Sequence, residues 1–257
     1  MIRGLYTAAS GMIAQQKRQE NVSNNIANIE TPSFKKQTLL VKARESSKIS
    51  RESDGVKTPI GEMQLGLGVE GVTTDFSQGM LRETGRLEDL AIDGQGYFKT
   101  RLVSGEAAYT RNGSLNMDSE GYLYNSDGFP IYGSKTEGGP SEPIQIDAET
   151  FSVDGQGNII DSEGNKLWKM AFVNIADTAL LKDSGTGVYI TETGGSENEI
   201  EAENAKIVSG MLEASNVNAL EEMVKLMEIS RSFESNQRII QSIDETLGKA
   251  VNEIGKL

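Results

Sequence analysis

Ser23-Asn24-Asn25-Ile26-Ala27-Asn28-Ile29-Glu30-Thr31-Pro32-Ser33-Phe34 is the stretch on which the reading of this chain turns. On helical geometry Val22, Ile26 and Ile29 share one stripe, and Asn21, Asn25 and Asn28 fall on the stripe beside it, about 100° away. Asparagine is a poor helix former, about 0.6 kcal/mol worse than alanine per residue. Four of them (with Asn24) on two turns need a compensating partner. Pro32 is expected to stop the helix, because the residue before a proline is pushed out of the α region. The stretch reads as the end of an amphipathic helix that meets a partner through an apolar and an amide stripe. Asn21, Asn24, Asn25, Ile26, Asn28 and Ile29 are the candidate contact residues. The bland alternative is a frayed surface helix.

Working outward, residues 1–30 read as helix. Ile2, Leu5, Ala9, Met12, Gln16, Gln19, Ser23 and Ile26 alternate by threes and fours, apolar at both ends and polar in the middle. Such a seam is not stable alone in water. Residues 35–62 carry Lys35, Lys36, Lys42, Arg44, Lys48, Arg51 and Lys57 among Ser, Thr and Gly, and read as an extended linker with some strand and a mobile loop around Ser46–Thr58. From 63 to 211 the pattern is β. Val69–Thr73, Tyr122–Tyr124 and Ile144–Ile146 alternate, and acidic-Gly or Asn-Gly pairs recur at Asp93-Gly94, Asn112-Gly113, Glu120-Gly121, Asp127-Gly128, Asp154-Gly155 and Glu163-Gly164. Such pairs supply the positive φ of tight turns. Trp168, Phe172, Val173 and Ile175 are the expected core. Asp93-Gly94-Gln95-Gly96 returns as Asp154-Gly155-Gln156-Gly157, which turn chemistry explains as well as duplication does. Residues 195–205 read as an acidic loop.

Beyond Ser215-Asn216-Val217-Asn218 a long helix is expected to run to Ile254, capped by Asn218 with Glu221 in the reciprocal position. Leu226, Ile229, Phe233, Asn236, Ile240, Ile243, Leu247, Ala250 and Ile254 keep a strict three-four spacing. That is a coiled-coil seam with one polar core position, Asn236, of the kind that fixes register. The alternative is a helix packed on its own β domain. The expected fold class is α+β, with N- and C-terminal helices (1–35 and 212–257) paired as a coiled-coil-like assembly segment, a linker (36–62) and a central all-β domain (63–211).

The composition excludes much. The chain has 257 residues, a formal net charge of −13, no Cys and no His. The charge argues against nucleic acid and anionic lipid, and the missing residue types remove thiol nucleophiles, disulfides, the common zinc sites and every His-based triad. No apolar run approaches the length of a membrane span, so no membrane insertion is expected. The first residues lack the apolar core of a cleavable signal peptide. Gly66-Leu67-Gly68-Val69-Glu70-Gly71 matches G-x-G-x-x-G, but a strand rather than a helix is expected to follow it. Asp118-Ser119-Glu120-Gly121 and Asp161-Ser162-Glu163-Gly164 lack the ligand order of a calcium loop. Glu88, Asp89 and Asp93 are close in sequence, but a carbohydrate-active site needs a carboxylate geometry and aromatics that the pattern does not indicate. No enzyme activity, cofactor or metal is expected.

The ordered blocks Ile2–Lys36, then Leu90-Ala91-Ile92-Asp93-Gly94-Gln95-Gly96-Tyr97-Phe98 with Tyr109-Thr110-Arg111-Asn112-Gly113-Ser114-Leu115, then Glu213–Asn218 with Glu221-Glu222-Met223-Val224 and Arg231-Ser232-Phe233-Glu234, resemble the signatures of the bacterial flagellar rod and hook proteins. The Arg3-Gly4-Leu5-Tyr6 opening is most similar to the distal-rod members, a Gram-positive-type paralogue included. The resemblance implies a structural subunit of the flagellar basal body, exported by the flagellar export apparatus without a cleaved signal peptide. It implies self-assembly into a helical polymer that transmits torque from motor to hook, with other rod and hook proteins as neighbours. It also implies that the terminal segments pair as an inner helical tube with the β domain outside. Hook and proximal-rod paralogues are the near alternatives. A secreted adhesin or fibre protein is the alternative from another class.

Overall fold

The computed structural model describes residues 2–53, 56–135, 139–147, 151–161, 163–191, 199–202 and 205–254. The chain forms two compact units, one of residues 1–28, 36–75 and 217–257, the other of residues 29–35 and 76–216. The architecture is α+β, with one long helix at each end of the chain and a β-rich middle.

The first unit holds α1 (Ile2–Ala27) and α2 (Ala219–Ile254). The run Ala14-Gln15-Gln16-Lys17-Arg18-Gln19-Glu20 supplies good helix formers to α1, and Lys17 Nζ lies 2.7 Å from Glu20 Oε2 one turn on. The helix does not run to Pro32 but stops at Ala27. Asn28 accounts for this. Its Nδ2 donates to the Asn24 carbonyl at 3.0 Å beside its own N–H at 3.1 Å, a local side-chain bond that competes with continued helix. At the start of α2, Asn218 Oδ1 accepts from Leu220 N at 3.0 Å and from Glu221 N at 3.5 Å. The Glu221 carboxylate faces Lys36, at 3.7 Å, in place of the expected reciprocal bond.

Four strands complete this unit: β1 (Gln37–Ala43), β2 (Ser47–Ser53), β3 (Val56–Met63) and β4 (Leu67–Thr74). β1 pairs antiparallel with β4, and β2 with β3. Residues 36–62, expected as an extended linker with some strand, are mostly paired strand; Asp54 and Gly55, within the expected mobile loop, lie outside the described residues. The described side chains of β2 and β3 are exposed except for half-buried Ile49, so neither face imposes the apolar alternation by which a strand is recognised. The Val69–Thr73 alternation belongs to β4 in this unit and not to the central domain. The strand β4 follows Gly66, as expected for that part of the G-x-G-x-x-G match.

The second unit is antiparallel β. Its six-stranded sheet runs in the order 181–183, 189–191, 107–110, 97–101, 172–175, 199–201, and its five-stranded sheet in the order 142–143, 132–134, 166–170, 158–160, 152–153. Leu90, Ile92, Phe98, Leu115, Ile131, Ile144, Ile159, Trp168 and Ile207 lie in its main core. Tyr97, Tyr109, Ile175, Leu181 and Tyr189 form a second cluster. Phe172 and Val173 pack against these cores half-buried. Part of the acidic stretch is strand: Glu199 accepts from Tyr109 Oη at 2.8 Å and pairs with Lys99 at 2.7 Å. Residues 195–198, 203 and 204 lie outside the described residues.

The Asp turns are backbone caps. Asp118 Oδ1 accepts from Glu120 N and Tyr122 N, Asp154 Oδ1 from Gln156 N and Asn158 N, and Asp161 Oδ1 from Glu163 N and Asn165 N. Two of the six expected pairs differ. Gly155 keeps an ordinary φ and Gly157 takes +81° instead. Gly113 is required by close approach, since a Cβ there would collide with the Leu90 carbonyl oxygen. The 93–96 and 154–157 echo is not structural either: Gly94 has φ +112°, and at Gly96 a Cβ would collide with the Phe172 ring.

Candidate functional site

Within the first unit the two helices lie side by side. A Cβ on Gly4 would stand 3.4 Å from Ile243 Cδ1, and one on Gly11 would stand 3.1 Å from Asn236 Nδ2. Asn25 Nδ2 reaches Glu222 Oε2 at 3.2 Å. Each step forward along α1 matches an equal step backward along α2, so the helices are antiparallel in constant register. On α2 Ile229 is buried, and Leu226, Phe233, Asn236, Ile240, Ile243, Leu247 and Ala250 are half-buried between exposed neighbours. Ile254 closes the helix, and its side chain lies outside the described residues.

On α1 the expected stripe is inward only in part: Leu5, Ala9, Met12 and Ile26 are half-buried. Gln16, Gln19 and Ser23 are exposed, whereas Ala8, Ala14, Val22 and Asn25 are buried. The physical reason is side-chain size: Gly4 and Gly11 let the α1 backbone approach Ile243 and Asn236, which larger residues would prevent.

Asn25 is the polar centre of this unit. Its amide is 1% exposed, donates to the Gln37 carbonyl at 2.8 Å and accepts from Gln37 N at 3.0 Å, which docks the start of β1 onto α1. Glu222, equally buried, takes Lys225 Nζ at 2.7 Å and Lys36 Nζ at 3.2 Å on its other oxygen. Burial works to raise the Glu222 carboxyl, and the hydrogen bonds from Lys225, Asn25 and Lys36 outweigh it and hold the group below the ordinary carboxylate value. The remaining expected residues do not converge with Asn25. Asn24 is exposed, and Asn28, as described, closes the helix. Asn21 is half-buried on the wall of a cavity of about 250 Å³ with Val22, Leu39 and Ile229. Ile26 is half-buried, and Ile29 is half-buried in the segment that belongs to the second unit.

Sequence reasoning missed Glu222, although it sits four residues before Leu226 in phase with the seam, where an acidic residue signals a paired charge. It also missed the outer face of α2. Leu220, Met223, Val224 and Met227 are 75%, 50%, 50% and 52% exposed, an apolar stripe at i, i+3, i+4, i+7. Tyr6, Ile13, Leu40, Ile60, Leu67, Val69 and Val72 are exposed on the same unit.

The second unit carries a separate polar cluster. Lys35 Nζ lies 2.6 Å from Glu213 Oε1, and Arg111 Nη1 lies 3.3 Å from Glu213 Oε2. Gly79 N also donates to Glu213 Oε1 at 2.8 Å, Lys35 Nζ to the Ser77 carbonyl at 2.8 Å and Arg111 Nη2 to the Gly94 carbonyl at 3.0 Å. The Arg111 guanidinium also stacks 5.1 Å from the Tyr97 ring centre. Burial pushes the Tyr97 hydroxyl up to about 12. One residue from each of the three sequence blocks meets here.

Three family models match the chain in the same order. The flagella basal body rod protein model covers residues 5–35, the flagellar hook protein FlgE/F/G D1 domain model residues 91–153, and the flagellar basal body rod FlgEFG protein C-terminal model residues 208–253. The flagellar basal-body rod protein FlgG of Bacillus subtilis is 34% identical, over 98% of this chain and 99% of its own. The FlgG of Borreliella burgdorferi is 34% identical over 98% of each chain, and the rod protein FlgF of Caulobacter vibrioides 32% identical over 100% of each. The chain belongs to the flagellar basal-body rod protein family. The rod model spans most of α1 and reaches Lys35, the D1 model includes Arg111, and the C-terminal model includes Glu213 and nearly all of α2. In this rod-family chain the three matched regions are thus joined by buried charge.

Proposed function

We propose that this chain is a structural subunit of the bacterial flagellar rod that polymerises helically, and that the unit formed by both chain ends makes the polymer contacts. The observation that carries the reading is the apolar surface of that unit. The Leu220–Met227 stripe faces away from the α1 contact, and a monomeric protein seldom leaves so contiguous a patch in water. An antiparallel, coiled-coil-like α1–α2 pair would present this stripe to neighbouring copies, and a heterologous contact that does not close on itself generates a filament. Asn21, Asn24, Asn25, Ile26, Asn28 and Ile29 remain the proposed assembly residues, Asn25 through its bonds to Gln37 and Glu222 and Asn28 through its bond to the Asn24 carbonyl. Other rod and hook proteins would lie above and below. Passage through the flagellar export apparatus without a cleaved signal peptide, and transmission of torque from motor to hook, belong to the same proposal. Similarity to FlgF over the full length of both chains favours a FlgF-type position as the second reading.

The test is mass spectrometry of purified hook–basal bodies from the source organism, together with motility of a deletion strain. Recovery in the axial particle with a non-motile deletion is the expected result. Absence from the particle with normal swimming would refute the rod reading and bring forward a secreted fibre or adhesin.

A further inference from the structure

Lys35, Arg111 and Glu213 are 1%, 4% and 1% exposed, so two cations and one carboxylate sit where water does not screen them. Glu213 lies 178 residues from Lys35 and 102 from Arg111 along the chain. It comes from the strand Met211–Glu213, the last strand of the second unit. We propose that this cluster makes closure of the second unit conditional on Glu213: without its carboxylate the Lys35 and Arg111 cations cannot be buried together in the interior. The proposal does not depend on the rod reading.

Three observations carry it. First, Arg111 Nε is buried without a hydrogen-bond partner, so the guanidinium relies on the Glu213 carboxylate beside Nη1 for its neutralisation. Second, the positions of both cations are tied to Glu213 through the backbone. Ser33 N donates to the Glu213 carbonyl at 2.8 Å, and Ser33 Oγ donates to the Arg111 carbonyl at 2.7 Å. Third, Ser33 has φ +59°, a left-handed conformation that a non-glycine residue holds only when its surroundings impose it. A chain lacking the Glu213 charge must bury two like charges together or leave the Ser33–Lys35 segment undocked. Breaking a buried charge pair by removing one partner is strongly unfavourable, whereas removing both partners is often tolerated.

The experiment uses the full-length chain and the fluorescence of Trp168, the only tryptophan, which lies 6% exposed in the core of this unit. Urea unfolding is measured for wild type, Glu213→Gln, Lys35→Met and the double variant. Glu213→Gln is expected to lower the folding constant at least about a hundredfold. Adding Lys35→Met should recover at least about tenfold of that loss, because one stranded cation is gone. If Glu213→Gln alone shows no folded baseline, a Trp168 transition that reappears in the double variant supports the proposal. A Glu213→Gln effect within about fivefold of wild type overturns it. So does a double variant no more stable than Glu213→Gln.

Discussion

Asn25→Ala removes the amide that joins α1, β1 and α2. Three bonds are lost: to the Gln37 carbonyl, from Gln37 N, and to the Glu222 carboxylate. Leaving a buried partner unsatisfied costs about 1–3 kcal/mol, and more for a charged one. Glu222 retains Lys225 and Lys36, so its share falls at the low end, and water can reach part of the vacated site. The sum is about 3 kcal/mol. Among the described residues all α-helix lies in the first unit, so circular dichroism at 222 nm follows that unit and Trp168 fluorescence the second. With a urea slope of about 2 kcal/mol per M, the 222 nm midpoint should fall by about 1.5 M while the Trp168 midpoint stays within about 0.3 M of wild type. Asn24→Ala, at an exposed position, should move the 222 nm midpoint by less than about 0.3 M. An Asn25→Ala shift no larger than that of Asn24→Ala would refute the assignment of Asn25 as the centre of the unit.

Three further outcomes follow from the geometry. Glu222 titrates lower in the folded chain than its ordinary value of 4.5, so its contribution is fully present above that value and is lost as pH falls through the folded value; the 222 nm midpoint should fall below pH 4.5 less in Glu222→Gln than in wild type. Gly113→Ala places a Cβ against the Leu90 carbonyl oxygen and should destabilise the Trp168 transition by about 3 kcal/mol or more. Ile240→Asp puts a charge on the α2 stripe that faces α1; rods should fail to assemble, and normal rods by electron microscopy would count against the seam.

The sequence by itself settled the long C-terminal helix and its Asn218 cap, because a three-four repeat and a capping residue are local signals. It settled most Asp turns for the same reason: the acceptor and the amides it holds lie within four residues. It also settled the family, through three ordered blocks. Only the tertiary structure decided that α1 turns its small residues inward, since Gly4 and Gly11 carry no hydropathy signal and matter only once Ile243 and Asn236 lie against them. Only the tertiary structure paired Ser47–Ser53 with Val56–Met63, because strands whose described side chains are exposed on both faces need no alternation. The Lys35–Arg111–Glu213 cluster was equally invisible: each residue alone reads as a surface charge, and what makes them buried partners is a fold that brings positions 178 residues apart to within 2.6 Å.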